Sequence, residues 1–244
     1  TYTYNVTSPI NYEANTTNLD AITTALQSLS ATSVASVDMS SSSLSNYGLL
    51  NPAYTLTYTA DGKDTTLSFG NADANSHTVY MTVTGKSAIY QVDTSSAATF
   101  YNYDANSILS NAVLSDSLDT LKTLTVQTGS TSHTFSFSGS SNSLKVQTDG
   151  KTLNTDNFQN YYQSLLSLST RGTASKPSNP STAMTLTLTF RDSKTPQKTI
   201  IFYPYDNDKD YVEINGVGAL YVYNSDLSPL ITETDQVAAD KKIS

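Results

Sequence analysis

The sequence predicts an α+β fold, a tandem duplication of a β-α-β-β-β-β-α unit with mostly antiparallel sheets and helices on one face. Three observations carry this expectation. Short runs alternate polar residues with aromatic or aliphatic ones, the period of a half-buried strand. Tight-turn residues separate the runs, so neighbouring strands are joined as hairpins. The same pattern then recurs in the second half of the 244-residue chain.

The recurrence is clearest between Tyr80–Val92, YMTVTGKSAIYQV, and Tyr211–Tyr223, YVEINGVGALYVY. A shift of 131 (211 − 80) superposes Tyr80 on Tyr211, Val83 on Ile214, Gly85 on Gly216 and Tyr90 on Tyr221. Upstream, AYTLTYT from Ala53 matches AMTLTLT from Ala183, and TTLSF from Thr65 matches TIIFY from Thr199. Leu19, Ile22, Leu26 and Leu29 match Phe158, Tyr161, Leu165 and Leu168 at a constant shift of 139 (158 − 19). The shift changes only in polar loops, where insertions cost little. The repeats are placed at residues 1–117 and 118–244.

In chain order, Thr1–Val6 alternates as a strand and is echoed by HTFSFS from His133. Thr16–Ser30 keeps its apolar residues on one helical face. Asn15 or Thr16 is expected to cap that helix, and Thr155 or Asp156 its counterpart. A hairpin of Tyr54–Thr59 with Thr65–Phe69 follows, turning at Ala60-Asp61-Gly62-Lys63. A second pairs His77–Thr84 with Ala88–Val92 across Gly85-Lys86-Ser87. Asp93 or Thr94 begins a helical stretch toward Leu109, and Leu118–Val126 adds a strand that bridges the copies. Ser40–Ser45 and Ala174–Ser181 are expected as equivalent loops.

Composition narrows the function classes. Hydrophobic residues make up 37% and charged residues 14%, both low for a globular chain. Ser and Thr fill the gap at about three residues in ten, with 17 Tyr. A disordered chain shows the reverse, few aromatics and dense charge, so the polarity belongs to sheet surfaces. The net charge of −8 and the absence of a basic run argue against nucleic acid as a partner. No Cys is present, which removes thiol nucleophiles, Cys-based zinc sites and disulfides together. The Ser/Thr/Asn/Tyr-rich, Lys-poor surface suits an extracytoplasmic bacterial protein. We expect an export signal or anchor ahead of Thr1 and membrane engagement only through that segment; a cytoplasmic chain trimmed at its start is the alternative.

No catalytic or cofactor-binding residue is expected. The chain has no Gly-x-Ser-x-Gly elbow and no phosphate-cradling glycine loop. Its two imidazoles, His77 and His133, fall in or at the start of predicted strands. Asp206, Asp208, Asp210 and Glu213 begin like a calcium loop. That loop needs Gly at its sixth position and a carboxylate at its twelfth, where this chain has Tyr211 and Val217. A turn is the expected role, with a weak metal site at Asp206, Asp208 and Asp210 as the alternative. Paired acids for hydrolysis are a third possibility, although Glu13, Glu213 and Glu233 are the whole Glu set. Tyr80, Tyr90, Tyr211 and Tyr221 recur with the repeat and are expected to pack. Tyr101, Tyr103, Tyr203 and Tyr205 are candidates for a surface on which a sugar or peptide stacks.

The segments TLTYTADGKDTTLSFG and VYMTVTGKSAIYQVD, followed by a helical stretch and SLDTLKTLTVQ, resemble the domain-of-unknown-function family DUF4340. The resemblance implies an extracytoplasmic protein tethered by an N-terminal hydrophobic segment. It also implies an accessory or surface role beside ABC-type exporters, including gliding-motility-type systems, with no catalytic residues to carry over. Asp192-Ser193-Lys194-Thr195-Pro196 departs from the Asp-Gly turn of the first copy. A non-enzymatic cell-envelope domain with a protein partner is therefore the leading expectation. A carbohydrate- or peptide-binding module is second and a hydrolase third.

Overall fold

The computed structural model describes residues 4–8, 11–101 and 105–243. The chain divides into two compact units, Ala14–Ile108 and Thr1–Glu13 together with Leu109–Ser244. The larger unit opens with β1 (Asn5–Val6) paired antiparallel to β2 (Tyr12–Glu13). Of the strand expected at Thr1–Val6, the first three residues lie outside the described residues.

The Ala14–Ile108 unit starts with α1 (Thr16–Ser28). Asn15 caps it from an extended backbone, its side-chain oxygen accepting from the Asn18 N–H at 3.2 Å. That bond satisfies one of the orphan donors of the first turn. Next come β3 (Ala31–Ser36) and α2 (Ser41–Asn46). α2 corrects the expectation of a plain loop through Ser40–Ser45, and β3 is a further strand ahead of it. Ser40 caps α2 by accepting from the Ser43 N–H, and Asp38 in turn accepts from the Ser40 N–H at 2.8 Å, so the serine run supplies its own helix start. β3 has no buried residue, hence no apolar alternation to reveal it.

Two hairpins complete this sheet. β4 (Tyr54–Ala60) and β5 (Lys63–Asp73) meet at Asp61-Gly62, whose φ values of 51° and 72° are those of a two-residue hairpin turn. β6 (Thr78–Val83) and β7 (Ile89–Asp93) follow, and Asp93 then starts α3 (Thr94–Tyr101) by accepting from the Ser95 and Ser96 N–H groups. The strand order is β3-β7-β6-β5-β4, antiparallel throughout. Leu67, Phe69, Val79, Met81, Val92 and Ala97 form a small core. α1 buries none of its residues: Leu19, Ile22 and Leu26, with Leu29 at its C-cap, stay half-buried.

The larger unit contains β8 (Leu121–Thr128), β9 (Thr131–Ser138), β10 (Lys145–Thr148) and β11 (Lys151–Thr152). After them come α4 (Thr155–Ser167), β12 (Gly172–Thr173) and β13 (Met184–Phe190). β14 (Lys198–Pro204), β15 (Lys209–Ile214), β16 (Val217–Tyr223) and α5 (Asn224–Ala238) close the chain. The cap of α4 is Asn154, not Thr155 or Asp156. Asn154 is the residue with extended backbone, and its side-chain oxygen accepts from the Asn157 N–H at 2.9 Å.

The nine-stranded sheet reads β11-β10-β9-β8-β13-β14-β15-β16-β12. Leu124, Val126, Phe135, Met184, Leu186, Ile200 and Phe202 build its core with Phe158, Tyr161 and Leu165 of α4 and Leu227, Leu230 and Val237 of α5. Burying a side chain of this size contributes about 2 kcal/mol, so α4 is held far more firmly than α1. From β12 inward the order β12-β16-β15-β14-β13 follows the same helix, edge strand, hairpin, hairpin, helix succession as β3-β7-β6-β5-β4. The difference lies beyond the last strand: β13 is extended by β8, whereas β4 ends its sheet.

Candidate binding surface

Cross-strand register sets Tyr203 on β14 opposite Tyr211 on β15, and Tyr211 opposite Tyr221 on β16. The three tyrosines therefore form one file across the sheet. Side chains directly opposite on antiparallel strands share a face, and Phe202, Val212 and Leu220, each adjacent in sequence, occupy the core face. Tyr203 and Tyr211 are buried, with ring centroids 6.1 Å apart. Tyr221 is half-buried and meets exposed Tyr223 edge-on at 5.8 Å.

Two glycines admit these rings. A Cβ on Gly218 would lie 2.3 Å from the Tyr211 hydroxyl and 2.8 Å from the Val212 carbonyl. One on Gly172 would press the Tyr221 ring at 3.2 Å. Cations cover the outer faces: Lys176 Nζ lies 5.0 Å from the Tyr203 centroid, Lys209 Nζ 5.1 Å from Tyr221, and the Arg171 guanidinium 5.8 Å from Tyr223. Each cation is tied to a carboxylate, Lys176 to Glu213, Lys209 to Asp206 and Arg171 to Asp226. The hydrogen bond to Glu213 raises the Lys176 pKa, and burial raises that of the Tyr211 phenol. At Tyr205 the backbone N–H donates to the Lys209 carbonyl at 3.0 Å, and its ring is exposed.

The acidic cluster serves three separate purposes. Asp206 closes the β14–β15 turn by accepting from the Asp208 N–H at 2.9 Å; that bond, together with Lys209, holds its carboxyl below the usual range. Asp208 uses its backbone carbonyl to accept from the Asn224 N–H at 2.8 Å at the start of α5. Asp210 is 1% exposed, opposite Pro204 and Val222 in register, and neither carboxylate oxygen makes a hydrogen bond of good geometry. Its burial pushes the pKa up, an effect that the Asn224 side chain opposes in part. Among the described residues no three carboxylate or imidazole groups converge on a possible metal position. A cleft of about 450 Å³ beside this turn is lined by Asn207, Asp208, Tyr223, Asn224 and Ser225.

The other candidates lie elsewhere. Tyr101 belongs to the Ala14–Ile108 unit, stacked on Tyr54 at 4.7 Å and edge-on to Phe69. Tyr103 lies outside the described residues. His77 precedes β6 with a left-handed φ of 53°, and His133 on β9 contacts Asp235 at 2.8 Å. Sequence reasoning missed Lys176, Lys209, Arg171 and Tyr223 as members of the tyrosine file. For Tyr223 the available signal was its alternation with Tyr221, which sets both on the same face of β16.

These features define a mixed α/β protein with mostly antiparallel sheets and a cation-covered file of tyrosines. The family model for "Domain of unknown function (DUF4340)" matches residues 5–188, and the chain belongs to that family. No similar curated protein and no similar solved structure was found.

Proposed function

We propose that this chain is a non-enzymatic, extracytoplasmic interaction domain of the cell envelope, whose Ala14–Ile108 unit docks a protein partner. A membrane component of an ABC-type exporter is the class of partner that fits the resemblance of its sequence. The observation that carries this is the contrast between two matched helices. Phe158, Tyr161, Tyr162 and Leu165 of α4 are buried, whereas no residue of α1 is fully buried and its apolar stripe is only partly covered. The same unit also exposes Val34, Val37 and Leu50, apolar surface of the kind that marks interaction sites.

The likeness between the two halves of the sequence supports this reading. Both helices run 13 residues, both are capped by Asn, and the cap residues keep the shift of 139 (154 − 15). The shared strand succession adds to it. On this view one copy kept a closed core and the other was freed to bind. Pull-down with the full chain from mildly extracted envelope is expected to recover a protein partner that Val37→Asp releases. Recovery of no partner by the wild-type chain would contradict the proposal.

A carbohydrate- or peptide-binding role has its own supporting observation, the tyrosine file with exposed Tyr205 and Tyr223 at its margin. Quenching or shift of tyrosine signals by soluble glycans, abolished in Tyr223→Ala, would favour it over protein docking.

A further inference from the structure

We propose that β4 is a self-pairing edge, through which two copies of the chain join antiparallel, β4 to β4, about a two-fold axis at Thr57. The inference is independent of the partner-docking role above. Exposed sheet edges are ordinarily blunted by shortness, bulges, charge or proline. The two large sheets have four edge strands, and three of them are blunted. β11 and β12 are two residues long, and β3 has two register shifts against β7. β4 differs on every count. It makes seven consecutive register pairs with β5 without irregularity, and Tyr54–Ala60 contains neither a charged residue nor a proline.

The backbone of β4 is also oriented for pairing. Thr66, the register partner of Thr57, spends its main-chain groups on the other neighbour: its N–H donates to Thr84 Oγ1 at 3.3 Å and its carbonyl accepts from the Thr84 N–H at 2.9 Å. Thr57 therefore directs its N–H and C=O away from β5, and the alternation of an antiparallel ladder gives Thr55 and Thr59 the same orientation.

The strand complements itself. An axis at Thr57 sets Thr55 of one copy opposite Thr59 of the other, Leu56 opposite Tyr58, and Tyr54 opposite Ala60. Threonines then meet on one face and apolar side chains on the other; a one-residue slip would set each against the wrong kind. With no charge on the strand, the net charge of −8 per chain is not concentrated at the seam. The molecule already contains this contact in another form. β13, which holds the corresponding place in its sheet, is extended by β8 over seven register pairs, with the Thr123 and Thr189 hydroxyls 2.6 Å apart.

The test is sedimentation of the full chain from roughly 10 μM to 1 mM, the range suited to a seam smaller than a standard interface. Concentration-dependent dimer is expected. Thr57→Pro removes an outward N–H at an edge position, where proline is tolerated, and should weaken association at least tenfold with unchanged circular dichroism. Thr57→Lys, which brings like charges together at the axis, should do the same and stands in if the proline variant misfolds. Because the chain has no Cys, Thr57→Cys should give a single oxidative cross-link between copies, and Thr55→Cys should not. A monomer across the whole range, a dimer indifferent to both Thr57→Pro and Thr57→Lys, or failure of Thr57→Cys to cross-link would overturn the proposal.

Discussion

The Tyr161 hydroxyl donates to Thr234 Oγ1 at 2.7 Å, joining α4 to α5 with both side chains fully buried. The Thr234 hydroxyl donates in turn to the Leu230 carbonyl at 2.7 Å, so the two hydroxyls form a short chain with one direction. Tyr161→Phe leaves Thr234 still bonded and should cost about 1 kcal/mol. Thr234→Val strands the phenol in the core and should cost more, about 2–3 kcal/mol. Denaturant midpoints of the two variants check the order; equal losses would show that the direction is wrong.

Asn15 and Asn154 cap their helices by the same bond, yet the consequences of losing it should differ. Asn154→Ala should lower the unfolding free energy of the larger unit by about 1 kcal/mol, because α4 is part of its core. Asn15→Ala acts on a helix with no fully buried residue, so the loss should appear as faster amide exchange within α1, with little change in the sheet. Hydrogen exchange resolved by residue distinguishes the two outcomes.

Asp210 should make stability fall as pH rises. Its folded pKa is raised by burial, so the folded state holds its proton more tightly than the unfolded chain. The stabilising contribution is complete below the ordinary carboxylate range and is lost as pH climbs through the raised folded value. Asp210→Asn should flatten that slope and be the more stable protein at pH 7. A chemical-denaturation series from acid to neutral pH measures it; an unchanged slope would mean that the carboxyl titrates normally.

Gly218→Ala should displace the Tyr211 ring, since the added methyl would fall within 2.3 Å of its hydroxyl and 2.8 Å of the Val212 carbonyl. A cost of about 1–3 kcal/mol is expected for this overpacking. Altered ring resonances of Tyr211 and its neighbour Tyr203 should accompany it. Unmoved resonances would remove the close approach as the reason for glycine.

How much of this was legible in the sequence depended on whether the signal was local. The apolar stripes of α1 and α4, the Asp61-Gly62 turn and the strand at Leu121–Thr128 are encoded by near neighbours, and periodicity finds them. β3 buries no residue, β11 has two residues, and β10 alternates over four only, too few for the period to stand out. α2 was hidden by a serine run that suits a loop and a helix start equally well. The tyrosine file needed the registers of β14, β15 and β16 together, and the free edge of β4 needed the full strand order. Neither can be read one residue at a time. Matching segments set the stripe of α4 beside that of α1, but only burial separated the fully covered stripe from the half-covered one.

The central claim is that the half-covered α1 side of the Ala14–Ile108 unit meets a protein, and site-specific photocross-linking in intact cells tests it most directly. A photoreactive residue at Ile22, in the apolar stripe, should yield a defined protein adduct. The same residue at Thr24, on the opposite side of α1, should not. Equal adducts from both positions, or none from Ile22, would contradict the account.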